Sequence, residues 1–179
     1  MKILLLGANG QVGTELQRTL LVLGELKSCT RAQANLKDLQ GLRSLIQDYQ
    51  PNVIVNAAAY TAVDRAESDK NQAELINSTA VGVMVQEAKN LDAWLVHYST
   101  DYVFDGEKLE AYIESDTTNP VNVYGSTKCK GEELITSSGC KHLIFRTSWV
   151  YGFHGNNFAG NVIRLFQEKD ELRSEERRV

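Results

Sequence analysis

Three glycines, Gly7-x-x-Gly10-x-x-Gly13, separate an apolar run from an amphipathic one at the start of the chain. The run before them, Ile3-Leu4-Leu5-Leu6, is continuous, as in a strand buried on both faces of a parallel sheet. After them Val12, Leu16, Leu20 and Leu23 recur at helical spacing. The glycines therefore occupy a strand-to-helix turn, the context a dinucleotide-binding loop requires. Gly7 permits the tight turn, Gly10 lets the backbone approach a pyrophosphate, and Gly13 lets the helix lie close to the sheet. The helix N-terminus offers unpaired N–H groups and a positive dipole end to phosphates. The spacing differs from the more familiar G-x-G-x-x-G, and a turn that merely packs is the plainer alternative.

The same alternation continues along the chain. Leu26 to Arg31 reads as a second strand, and Leu42, Leu45, Ile46 and Tyr49 mark a helix face closed by Pro51. Val53 to Ala59 holds a third strand and the loop leaving it. One long helix is expected over about 70–90, with Ile76, Ala80, Met84 and Ala88 on one stripe. Ala93 to Thr100 is a fourth strand, 101–122 a loop, Val123 to Ser137 a helix, and Lys141 to Thr147 a fifth strand. This order specifies an α/β fold with a doubly wound parallel sheet and right-handed crossovers. Ligands in such sheets lie beyond the carboxyl ends of the strands. Gly7, Ala57 to Thr61, Ser99-Thr100 and Thr147 to Trp149 all fall there. Phe158 to Gln167 reads helical, and the charged stretch after it as an exposed helix end or disorder.

The end of the second strand bears on the cofactor. An acidic residue there would accept hydrogen bonds from the ribose 2′-OH of NAD. Thr30-Arg31 stands in its place, and a hydroxyl beside a guanidinium suits a 2′-phosphate. NADPH is the expected cofactor, with NADH as the second choice. Further along, Tyr124 and Lys128 are four residues apart on the predicted helix and share a face. A nearby ammonium favours phenolate, so the tyrosine is expected to titrate below its ordinary value near ~10. Lowering it by roughly three units takes about 4 kcal/mol of differential interaction. Such a phenol can exchange a proton at cellular pH.

Bulk properties narrow the partners. The chain has 179 residues, enough for one sizeable core, and a net charge of −4. No stripe of Lys and Arg interleaved with aromatics is present, so nucleic acid is not an expected partner. No apolar run approaches membrane-spanning length, and the start has no signal-peptide pattern. Cys29, Cys129 and Cys140 have neither metal-ligand nor C-x-x-C spacing and read as unpaired buried thiols of a cytoplasmic protein. His97, His142 and His154 form no metal-ligand cluster, and His97 reads as a packed strand residue.

The glycine loop, Asn56-Ala57-Ala58-Ala59, Ser99-Thr100-Asp101-Tyr102-Val103-Phe104-Asp105-Gly106 and Tyr124-x-x-x-Lys128 together resemble the extended short-chain dehydrogenase/reductases. Asn56 to Glu67 and Phe145 to Gly152 are similar to the dTDP-4-dehydrorhamnose reductases within them, over residues 1 to about 172. The resemblance implies a Rossmann-type NAD(P)-binding fold over 1–160. It makes 161–179 the start of a mostly missing substrate domain, or an aberrant tail. It implies reduction of the C4 ketone of dTDP-4-dehydro-L-rhamnose, a dTDP-sugar substrate, and leaves homodimerisation open. Tyr124 would donate the proton, Lys128 would lower its pKa and hold the nicotinamide ribose, and Thr100 would bond the carbonyl oxygen. Asp101 and Trp149 would touch the sugar. Gly7, Gly10, Gln11, Val12, Gly13, Thr30, Arg31, Asn35, Leu36, Ala59, Tyr60, Thr61 and Tyr98 would line the cofactor, and no metal is implied. Dehydratases that resemble this chain carry an acid directly after the Thr-Asp pair; Tyr102 stands there, which favours reduction over elimination. The family's chains run well beyond this length, so the expectation for the chain alone is cofactor binding without efficient turnover. A non-catalytic NADP-binding regulatory subunit, and a reductase or epimerase of another nucleotide sugar, stay open as readings.

Overall fold

The N-terminal apolar run becomes β1 (Lys2–Leu6), where Leu4, Leu5 and Leu6 are fully buried. The computed structural model describes residues 1–155 and 157–168. β1 pairs in parallel with β2 (Glu25–Cys29) on one side and β3 (Val53–Asn56) on the other. β4 (Trp94–Thr100) and β5 (His142–Thr147) extend the sheet beyond β3, giving the order β2-β1-β3-β4-β5. The chain turns back across the sheet between β1 and β3, so a crevice opens at their carboxyl ends.

The helices are α1 (Gln11–Leu20), α2 (Leu39–Tyr49), α3 (Val63–Ala66), α4 (Lys70–Glu74), α5 (Ala80–Asn90), α6 (Val123–Ser137) and α7 (Phe158–Glu168). Leu16 and Leu20 of α1 cover one sheet face against Ile3, Leu5 and Val55. Leu42 and Ile46 of α2, Met84 of α5 and Ile135 of α6 cover the other, with Leu4, Leu6, Ile54 and Leu95. Successive residues of β1 thus feed opposite cores, which is why its sequence is apolar without alternation. The doubly wound parallel sheet expected from the pattern is the fold observed.

Several local expectations need correction. The long helix expected over 70–90 is interrupted by one π-helical segment, Leu75–Thr79, between α4 and α5. That segment bulges onto α6: a Cβ on Gly131 would lie 2.4 Å from the Asn77 carbonyl oxygen. Thr30 and Arg31 follow β2 rather than ending it, because the Thr30 N–H and hydroxyl both donate to Gln33 Oε1, at 2.9 and 3.1 Å. Leu23 lies beyond α1 and is exposed. α3 and a 3-10 turn, Asp101–Val103, lie where no helix was read. α7 lies where a helix was read from Phe158 to Gln167, and Lys169 to Val179 lie outside the described residues.

Cys29, Cys129 and Cys140 are buried free thiols. Among the described residues no helix is long and apolar enough to cross a membrane, and no group of three His, Cys, Asp or Glu side chains could hold a metal.

Candidate active site

A cleft of about 440 Å³ lies over the carboxyl ends of β1, β3 and β4. Gly7, Gly10, Gln11, Val12, Arg31, Asn35, Leu36, Ala59, Thr61, Tyr98, Tyr124 and Lys128 line it, all of them expected there. Gly7 has φ +79°, a left-handed conformation that suits glycine. Gly13 sits beneath the lining, where a Cβ would come within 2.0 Å of the Gly7 carbonyl oxygen. The N-cap of α1, Gly10, makes no side-chain hydrogen bond and the first turn holds no acidic residue, so no local carboxylate offsets the positive end of the helix dipole at the cleft. Arg31 and Lys37 add basic groups beside Asn35. This donor set fits a phosphorylated dinucleotide.

Other expected residues lie elsewhere. Thr30 is outside the lining, held in its turn by Gln33. Tyr60 packs against the core; its N–H donates to Asn77 Oδ1 at 2.9 Å and its hydroxyl to Asp69 Oδ2 at 3.4 Å. Thr100 and Asp101 are not in the lining but lie near enough to Tyr124 to act on its titration; the Thr100 hydroxyl donates to Asp101 Oδ1 at 3.0 Å and accepts the Tyr102 N–H at 3.2 Å. Asp101 Oδ2 accepts from Ser148 Oγ at 2.7 Å. Trp149 is 75% exposed and stacks edge-on against Phe158, with ring centroids 5.4 Å apart.

Local packing aims Tyr124 and Lys128. The Asn122 side chain caps α6 by accepting the Gly125 N–H at 2.7 Å. Gly125 admits the Tyr102 carbonyl oxygen, which a Cβ would meet at 2.1 Å. Tyr102 and Tyr124 then meet edge to face at 5.6 Å. Lys128 is 1% exposed, and its Nζ donates to the Tyr98 carbonyl at 2.6 Å and lies 3.0 Å from His97 Nε2.

The electrostatics overturn one expectation. The Tyr124 phenol is pushed up, not down, chiefly by burial; the Thr100 hydrogen bond opposes this, and the charges of Asp101 and Tyr102 add to it. Lys128 is lowered to about 8 by burial, against the pull of Glu132. Burial, with the Lys128 charge beside it, holds His97 well below its ordinary value. Lys128 is turned to His97 and the Tyr98 carbonyl, and burial dominates at the phenol.

Sequence reading missed Asn56, His97 and Asn77. Asn77 Nδ2 donates to the Tyr60 carbonyl at 3.2 Å and to Thr127 Oγ1 at 3.1 Å, tying the loop after β3 to α6. The helical stripe conceals it, since nothing in the pattern marks a π turn. Ala57, Ala58, Ser99 and Thr147 line the cleft at the strand ends where a ligand was expected, and Asn9, Ala34, Lys37, Ile76, Val150 and Gly155 line it without having been singled out for it.

Residues 1–178 match the protein family described as RmlD substrate binding domain. The chain belongs to that family. It is 49% identical over 173 residues to the dTDP-4-dehydrorhamnose reductase of Burkholderia thailandensis, covering 97% of this chain and 58% of that protein. It is 48% identical over 176 residues to the enzyme of the same name from Escherichia coli K12, covering 96% and 59%. A crystal structure of dTDP-4-dehydrorhamnose reductase from Bacillus anthracis in complex with NADP superposes with a TM-score of 0.90 at 35% identity, over 94% of this chain and 60% of that one. The Thermus thermophilus UDP-glucose 4-epimerase complex with NAD shares the fold, with a TM-score of 0.79 at 20% identity. The chain thus spans about three-fifths of the length of the relatives it matches.

Proposed function

We propose that this chain supplies the NADPH-binding and proton-donating part of a dTDP-4-dehydrorhamnose reductase, a cytoplasmic enzyme acting on a dTDP-linked sugar. The carrying observation is the placement of Tyr124 and Lys128 in the lining of the same cleft as the α1 N-terminus and Arg31. The N–H groups of α1 would hold the pyrophosphate, and Arg31 with Lys37 would receive the 2′-phosphate. When bound there, NADPH would supply hydride-donor chemistry toward the C4 ketone of the sugar. Tyr124 then delivers its hydroxyl proton to the C4 oxygen as that oxygen gains charge. A raised pKa keeps the phenol protonated until that moment, as a donor must be. The Thr100 hydroxyl, near Tyr124 and donating to Asp101 Oδ1 at 3.0 Å, turns from that carboxylate to steady the developing alkoxide. Asp101 and Trp149 face the sugar from beyond β4 and β5.

Tyr124→Phe tests the reading. The variant is expected to bind NADPH with unchanged affinity by fluorescence titration. Reduction of dTDP-4-dehydrorhamnose, assayed in the longest available form of the protein, should fall at least 100-fold, in keeping with loss of a general acid. Unchanged turnover would remove Tyr124 from the chemistry. Absence of NADPH binding in the unsubstituted chain would remove the cofactor assignment.

A further inference from the structure

Asn56, His97 and Lys128 form a buried chain from β3 through β4 to α6, each 1% exposed. Its hydrogen-bond directions can be assigned from one end. Asn56 Oδ1 accepts the Ala58 backbone N–H at 3.1 Å, which fixes the amide with Nδ2 toward His97. Nδ2 lies 3.1 Å from His97 Nδ1. An amide nitrogen only donates, so Nδ1 accepts and the imidazole proton sits on Nε2. Nε2–H points at Lys128 Nζ, 3.0 Å away. Only an unprotonated amine has a lone pair to receive it. Its own N–H then donates to the Tyr98 carbonyl at 2.6 Å.

An ammonium breaks this inventory. Either Nε2–H faces N–H, or the imidazole exchanges tautomer and Nδ1–H faces the Asn56 NH₂. Each unmet buried donor costs roughly 1–3 kcal/mol. We propose that Asn56 and His97 are positioning residues for Lys128, a tautomer lock that favours its unprotonated amine in the cofactor-free protein. Protonating Lys128, as a nicotinamide ribose or phosphate would favour, then requires a proton from solvent and transfer of the His97 proton from Nε2 to Nδ1. The lock concerns the free protein; its meaning for catalysis rests on the reading of Lys128 given above. The other groups around Nζ are Tyr124, one turn before it, and Glu132, one turn after. Glu132 favours the ammonium, but it is already engaged by Ser99 and by Arg146 of β5.

NMR on the whole chain without cofactor tests the lock. Long-range proton–nitrogen spectra read the His97 tautomer directly; variants of the other two histidines, His142→Gln in β5 and His154→Gln, leave its signals as the unchanged set. Above the lysine midpoint, near about 8, His97 is expected with a bare Nδ1 and a protonated Nε2. A protonated Nδ1 there overturns the proposal, and that measurement needs no core substitution. Asn56→Asp keeps an oxygen for the Ala58 N–H and presents a second to Nδ1. It should move the His97 proton to Nδ1 and raise the proton affinity of Lys128 about tenfold or more, one unit in its midpoint. A Lys128 midpoint untouched by Asn56→Asp also overturns the lock. Because no cofactor is present, neither failure touches the oxidoreductase reading, which Tyr124→Phe decides.

Discussion

The floor of the cleft and its β5–α7 rim are built by opposite rules. In the floor the polar side chains are inside: Asn56, His97, Thr127 and Lys128 are buried, and each has a hydrogen-bond partner. On the rim the apolar side chains are outside: Trp149, Tyr151, Phe153 and Phe158 are 65% exposed or more. A satisfied buried network fixes one geometry, because every alternative strands a donor in low dielectric. Clustered exposed aromatics mark a surface that something else covers or grips. The glycine-loop end of the cleft is therefore preorganised within the described residues, while the β5–α7 end presents a contact surface.

The largest expected effect tests the rigidity of the floor. Glu132 takes Arg146 through both Nε and Nη2, at 3.1 and 2.7 Å, and also accepts from the Ser99 hydroxyl, joining α6 to β4 and β5. This pairing raises Arg146. Glu132→Ala strands a half-buried guanidinium and should cost about 3–5 kcal/mol of unfolding free energy by urea titration. A loss under about 1 kcal/mol would mean that the floor is held by packing alone, and the contrast with the rim would lose its basis.

The next effect is read in pH. Lys128 is lowered to about 8 in the folded protein, against 10.5 when unperturbed. Below pH 8 both states carry the proton. Between 8 and 10.5 Lys128 binds more protons in the unfolded chain than in the folded one, so its contribution to stability rises with pH in that window. The full gain is about 3 kcal/mol, from the difference between about 8 and 10.5. Lys128→Met should flatten the rise in a series of urea titrations from pH 7 to 10.5. A rise that persists in the variant would assign it to another group.

Arg31 lies at the far end of the same floor and should act only through ligand affinity. Arg31→Ala is expected to weaken NADPH binding about tenfold, or about 1.4 kcal/mol, near the low end for a charge-assisted bond. NADH affinity should stay within error. An equal loss for both dinucleotides would place Arg31 against the pyrophosphate or adenine and reopen the choice of cofactor.

Much of this was legible in order along the chain. β1 and its glycine turn, and α6 from Val123 to Ser137, match the reading because each is specified by neighbours in sequence: an unbroken apolar run, a cap, a helical stripe. Tyr124 and Lys128 share the cleft for the same reason. What was not legible depends on distant partners. The π turn at Leu75–Thr79 answers to the approach of Gly131. His97 looks like any strand residue until Asn56 and Lys128 close on its two ring nitrogens. The sign of the Tyr124 shift was misread because spacing on one helix says nothing about whether β4 has already taken the lysine, or about how deeply the phenol is buried.

The smallest expected effect isolates the rim. Trp149 adopts φ +48°, a left-handed conformation that costs a non-glycine residue on the order of 1 kcal/mol. Burial does little to offset that cost, since the side chain is 75% exposed and, among the described residues, its one ring contact is Phe158, itself 65% exposed. Trp149→Ala should therefore change unfolding free energy by less than about 0.5 kcal/mol and leave NADPH affinity alone. If the strained aromatic is kept for the sugar, its loss should appear as a raised KM for the dTDP-sugar with cofactor binding intact. A large stability loss would show instead that Trp149 belongs to the fold, and the rim would then be an extension of the floor rather than its counterpart.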